Sequence, residues 1–266
     1  MIDSSGDFRK NGSVAITVVF LIVSAMRPAL LIGDDGIEEV AITDSDREHW
    51  AYRPIARPAV PKIENDQWSR NPIDRFVLRR LSERGLTPSG RATSRVLARR
   101  LYLDLIGIPP SPEELDAIEH NPIDSAVESI VDYLLSSPRY GERWGQHWLD
   151  LARFAETDGF EHDRIRKDAW QYRDWVIDAL NRDLPYDQFV KSQIAGDLID
   201  GADPIATAFC LSGPDMPDIN LQTERKHTLL NEMTATVGAA LLGLQVGCAQ
   251  CHNHMYDPIS QADFYR

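Results

Sequence analysis

Cysteine is scarce in this chain. Three among 266 residues are too few for a disulfide-built scaffold. Positive charge is also in short supply: 28 Lys and Arg face 41 Asp and Glu, a net charge of −13. A surface that acidic repels phosphate backbones, so no nucleic-acid partner is expected. No uninterrupted apolar run reaches the ~20 residues of a membrane-spanning helix. Alternating apolar–polar segments flanking an Asn-Gly or Asp-Gly turn are missing too; Asp158-Gly159, for example, has flanks that are not strand-like. What remains is ordinary globular material, 43% hydrophobic, 26% charged and 8% aromatic, which excludes disordered, collagen-like and coiled-coil chains.

The N-terminus carries an export pattern. Arg9 and Lys10 precede an apolar run from Val14 to Met26, and Val23-Ser24-Ala25 places small residues at the −3 and −1 positions of a cleavage site. A basic segment, a short apolar segment and a small-residue site make a secretory signal peptide. Residues 1–25 are therefore expected to be removed, leaving 26–48 as a linker and an exported, periplasmic protein. The removed segment holds Asp3, Asp7, Arg9 and Lys10, so the charge stays at −13. Arg27-Pro28 interrupts the run, and a second apolar patch from Ala29 to Ile32 leaves an uncleaved anchor as the alternative. Membrane contact is expected only in that case.

Beyond the linker the chain reads as helices. Residues 34–70 are spotted with proline and lack periodicity, which predicts an extended arm laid over the domain. Asn71-Pro72 opens a helix, and Ile73, Phe76, Val77 and Leu81 form its apolar stripe. A second helix is expected from about Thr93 to Ile106, stopped at Gly107. Ser111-Pro112-Glu113-Glu114 is a capping box that starts a third. Others are predicted over Ser125–Leu135, Pro138–Ala155 and Tyr186–Ile194, and from Trp170 onward. Leu230, Met233, Val237, Leu241 and Leu244 mark a last long one over Thr223–Leu244. The expected fold is mainly α: a single irregular multi-helix domain over 49–266 with an extended, Pro-rich N-terminal arm.

The chemistry gathers near the C-terminus. Gly247-Cys248-Ala249-Gln250-Cys251-His252 contains C-x-x-C-H, the attachment motif of c-type haem. Two thiols separated by two residues reach the two vinyl groups of one porphyrin, and the adjacent histidine lies under the iron. Covalent haem c, electron transfer and a redox partner protein follow from that reading. His254 and Met255 sit too close in sequence to reach the opposite ring face, leaving His147, His162, His227 or Met233 as distal ligands.

Other readings of the same residues stay open. Zinc or another divalent metal on His252, His254 and Asp257 suits an exported hydrolase with an open water position. A disulfide between Cys248 and Cys251, structural or redox-active, suits a non-catalytic module in the structural case. Glu156 to Asp163 packs four carboxylates and a histidine into eight positions, either a solvated acidic loop or a calcium site. Asp257-Pro258 is expected to shape a turn, with Ser260 capping a short final helix. Cys210 is expected to be a small buried hydrophobe.

From His49 onward the chain resembles a planctomycete family of exported proteins, a domain of unknown function associated with cytochrome C domains (PSCyt type). The matching strings are HWAYRP (49–54), NPIDRFVLRRL (71–81), LDLIGIPPSPEELD (103–116), SPRYGERWGQHWLDLARFAETDGFEHD (137–163), YRDWVIDALNRDLPYDQF (172–189) and GCAQCHNHMYDPISQADFYR (247–266). The resemblance implies an exported, mainly helical domain built around Cys248, Cys251 and His252, with His254 and Asp257 at recurrent positions. Relatives of this type continue into a second large domain, and many carry a cytochrome domain in front. The resemblance thus implies a chain truncated after Phe264-Tyr265-Arg266, with a missing C-terminal domain as a partner. Part of the usual sequence around 212–222 is also lacking.

Overall fold

A computed structural model of the chain describes residues 41–120, 123–159, 163–215 and 221–266. Residues 1–25, expected as a signal peptide, and most of the expected linker lie outside the described residues. None of the described helices is long and apolar enough to cross a membrane. The described residues form helices with no strand; a lone antiparallel bridge joins Thr157 to Ile165. The fold is mainly α, as expected.

Local chemistry starts most of the helices where predicted. Helix α2 (Pro72–Glu83) begins at Asn71, whose side chain accepts from Asp74 N while Asp74 reaches back to the Asn71 N–H. Helix α3 (Ser94–Ile106) is capped by Thr93 and ends on Gly107 at φ +76°, a left-handed position that favours glycine. Ser111 and Glu114 close their box at the start of α4 (Pro112–His120), and α5 spans Ile123–Leu135. These last three helices share one small core of Ala98, Tyr102, Ile106, Ile118 and Leu134.

The larger core lies between α6 (Arg139–Leu151), α7 (Trp170–Asn181), α8 (Tyr186–Ala195) and the short α9 (Ala208–Leu211). Tyr172, Trp175, Val176, Phe189 and Phe209 fill it. Glycines on α6 let α7 come close: a Cβ at Gly141 would lie 2.4 Å from the Ile177 carbonyl oxygen. Asn181 of α7 uses the proximity, accepting from Gly141 N at 2.8 Å and donating to the Pro138 carbonyl at 3.0 Å. It thereby caps a helix that lacks a capping side chain of its own.

A buried polar cluster ties this core together. Trp148 Nε1 and the Tyr172 hydroxyl both donate to Gln193 Oε1 at 2.7 Å, and Gln193 Nε2 donates to the Phe189 carbonyl at 3.0 Å. Gln193 is fully buried, so each polar atom brought inside has found a partner. Burial pushes the Tyr172 phenol well above its usual range.

Three boundaries differ from expectation. The arm is not uniformly extended: α1 (Asp44–Glu48) and a 3₁₀ turn (Trp50–Tyr52) occupy its described start. Thr43 and Asp46 form a capping box there, a spacing that the proline count obscured. The α6 segment stops at Leu151 rather than running to Ala155, because Arg153 turns to φ +57°. The last long helix, α10 (Gln222–Val237), widens into a π turn over Gly238–Leu242 and ends at Gly243, φ +66°, before Leu244.

Candidate functional site

The C-x-x-C-H motif sits on a turn held by its neighbours in sequence. After Gly243 the chain forms a 3₁₀ turn, Val246–Gln250, that packs against α10. Two glycines make this close approach possible. A Cβ at Gly238 would come within 2.2 Å of Val246 Cγ2, and one at Gly247 within 3.0 Å of Ala235 Cβ. Ala249 points inward and is fully buried, whereas Cys248 and Cys251 on either side are exposed free thiols. A π turn at this point fits a region shaped for something other than helix regularity.

Helix α11 (Gln261–Tyr265) braces the turn from behind. Ser260 caps it, taking part with Asp263 in a full capping box. The backbone and hydroxyl of Ser260 hold the Asp263 carboxyl below the usual carboxylate range. Gln261 Nε2 and the Tyr265 hydroxyl both donate to the Gln250 carbonyl at 3.0 Å. Asn253 Oδ1 accepts from Gln261 N at 2.8 Å, and His254 N donates to the Ile259 carbonyl at 2.9 Å. Backbone groups on both sides of the motif are therefore satisfied while its thiols stay free.

The two histidines are held in opposite ring states. His252 is exposed, and its Nδ1 lies 2.7 Å from the Asn253 carbonyl oxygen. An oxygen of that kind only accepts, so Nδ1 carries the proton and the Nε2 lone pair of the neutral ring faces outward. His254 is the reverse. Its Nδ1 accepts from Asp257 N at 2.8 Å and Tyr256 N at 3.2 Å, so the neutral ring carries its proton on Nε2. Its side chain is only 8% exposed. The 3.5 Å between Nδ1 and Asp257 Oδ2 is then a contact rather than an ion pair, since the ring nitrogen already accepts two N–H groups.

Asp257 does two jobs. Its backbone N–H fixes His254, and its carboxylate accepts from the Tyr52 hydroxyl at 3.1 Å, tying the N-terminal arm to the motif. Burial, and then that hydrogen bond, raise the Tyr52 phenol above its ordinary value. Neither Asn253, Gln261, Tyr265 nor Tyr52 bears a residue type that announces a site, and only the tertiary contacts reveal them.

The structure brings together Cys248, Cys251 and His252 along one turn, with His254 and Asp257 beside it. It does not gather the metal-ligating set into one cage: no group of three or more His, Cys, Asp and Glu converges among the described residues. Neutral His254 would have to shed its Nε2 proton to ligate through that atom, and Nδ1 is occupied by backbone donors. For haem the donor chemistry fits: two exposed thiols and an adjacent imidazole with Nε2 turned outward. Of the distal-ligand residues, His227 and Met233 lie on α10, His147 lines a separate cavity, and His162 lies outside the described residues.

The acidic loop is ion-paired rather than bare among its described residues. Asp158 pairs with Arg166 at 2.8 Å, Glu156 pairs with Arg173 at 2.7 Å, and Asp163 Oδ1 accepts from Gly159 N. Arg166 also donates to the carbonyls of Ser212 and Gly213, so the loop between α6 and α7 is tied to the segment that follows α9. Cys210 is half-buried, its Sγ 3.8 Å from the Gln193 carbonyl, and burial pushes its thiol up.

Fold and site together define a mainly helical domain that presents a C-x-x-C-H turn on its surface. The family described as PSCyt2, protein of unknown function (DUF1549), matches residues 72–266, and the chain belongs to it. No curated protein and no solved structure matches.

Proposed function

We propose that this domain is an exported c-type haem protein serving electron transfer, with haem joined to Cys248 and Cys251 and its iron ligated by His252. The observation that carries the reading is the ring state of His252. Its Nδ1–H is committed to the Asn253 carbonyl, so Nε2 is the ligating atom and the ring orientation is fixed. The exposed free thiols on the same turn support it, as does buried Ala249, which fixes the turn between them.

Bound haem supplies a one-electron Fe(III)/Fe(II) couple. The chain's own residues supply the rest. Gln261 and Tyr265 keep the backbone between the two thiols in place, and His254 orients the loop that follows without competing for the iron. Export through the N-terminal segment would deliver the chain to the compartment where thioether attachment takes place. A redox partner, or a further domain as in relatives of this type, would receive the electron.

The test is expression of the full chain with cytochrome c maturation machinery. A Soret band that survives acid–acetone extraction, and is lost in the Cys248→Ala/Cys251→Ala double variant, is expected. Haem-free protein from the parent, or stoichiometric zinc in place of haem, would overturn the proposal.

A further inference from the structure

On the faces of α6, α7 and α8, built from residues the C-x-x-C-H turn does not use, lies an aromatic cavity of about 490 Å³. That is a volume suited to a small ligand. Its floor is rigid. Trp148 is anchored through Nε1 to Gln193 and Tyr172, and Phe189 meets Trp148 edge-on at 4.8 Å and stacks on Trp175 at 5.3 Å. Its rim is aromatic and open to water: Trp144 is 42% and Tyr186 62% exposed. His147 stands edge-on against Trp144 at 5.7 Å.

One residue of the rim breaks two local rules. Asp183 follows the C-cap of α7 at φ +51°, a left-handed position that glycine occupies at least cost. Its N–H and that of Leu184 close the helix end on the carbonyls of Leu180 and Ala179. A carboxylate there also faces the negative end of the helix dipole. Nearby cations do not compensate it, because Arg182 pairs with Asp178 at 3.4 Å and Lys191 with Asp187 at 2.9 Å. Among the described residues the Asp183 carboxylate has no ion-pair partner. Glycine or asparagine would be cheaper at this position, so the carboxylate points to a use outside the helix.

We infer that this cavity binds an organic cation of the quaternary-ammonium class, its apolar substituents against Trp144, Trp148, Tyr186 and Phe189 and its charge compensated by Asp183. Aromatic faces attract such a cation through their quadrupoles, and a chain of net charge −13 raises its local concentration. An anion is repelled by Asp183. A neutral ligand leaves that carboxylate uncompensated.

The test uses the full chain with choline and benzyltrimethylammonium as probes, read by tryptophan fluorescence and calorimetry. At least one of the two should bind saturably, and 3,3-dimethyl-1-butanol, the uncharged carbon analogue of choline, about tenfold or more weakly. Asp183→Gly should lose cation binding while raising the melting temperature, since it relieves the backbone and the dipole together. Trp144→Ala should weaken binding about tenfold without unfolding the protein. Absence of saturable binding for both cations would overturn the inference. So would equal affinity for the uncharged analogue, or Asp183→Gly that binds as the parent does or melts lower.

Discussion

Gln193 and Gln250 lie at the centres of two regions held by opposite means. Around Gln193, side chains satisfy one another in the dark: Trp148 and Tyr172 donate to its amide oxygen within an aromatic core. Around Gln250, side chains reach for backbone. Gln261 and Tyr265 donate to its carbonyl, Asn253 holds a helix N–H, and His254 accepts from two more. The first arrangement spends its polar groups on stability. The second fixes the path of the chain while leaving Cys248, Cys251 and the His252 Nε2 unspent, which is what a site for an added group requires.

The largest way to break this comparison is at Gln193. Gln193→Ala removes three buried hydrogen bonds and opens a cavity, so it should cost about 3 kcal/mol in denaturant unfolding at unchanged slope. Haem attachment in the surviving folded fraction should be unaffected. Next comes Gly238→Ala. Its Cβ would meet Val246 at 2.2 Å, forcing the turn off α10 at a cost of about 1–3 kcal/mol. Here haem attachment should fall with stability, which separates the two regions.

Gln261→Ala sharpens the comparison. Losing one hydrogen bond to the Gln250 carbonyl should cost about 1 kcal/mol. Amide exchange at Tyr256, Asp257 and Gln261 should quicken, with the α6–α7 amides unchanged.

Acid gives the smallest effect. The Asp263 carboxyl is held below its unfolded value by Ser260, so it adds stability above the unfolded pKa and loses it as pH falls through the folded one. Asp263→Asn should therefore lower the neutral plateau slightly and flatten the acid limb of the stability profile below about pH 4, the two proteins converging at the acid end.

What the sequence makes legible follows the range of the interactions. Asn71, Thr93, Ser111 with Glu114, and Ser260 act within one turn of chain, and each caps the helix that its pattern predicts. The C-x-x-C-H motif is equally local, and its residues do share one turn. Long-range partners leave no such mark. Glu156 and Asp158 read as solvated acid until Arg173 and Arg166 arrive from beyond the loop. Asp257 reads as a turn former or ligand until Tyr52 reaches it from 205 residues away. The π turn after Val237 hides because Leu241 and Leu244 continue the helical spacing, while the break comes from Gly238 packed against Val246.

The opposed ring states of His252 and His254 carry the central claim, and parallel variants test it most directly. His252→Ala and His254→Ala should be made beside the parent with the maturation machinery, then compared by haem content and iron-ligand spectra. Both should keep thioether-bound haem. His252→Ala should change the coordination of the iron, and His254→Ala should leave a spectrum close to the parent's, because its Nδ1 serves the backbone. No covalent haem in the parent, or a His254→Ala spectrum altered as much as that of His252→Ala, would contradict the account.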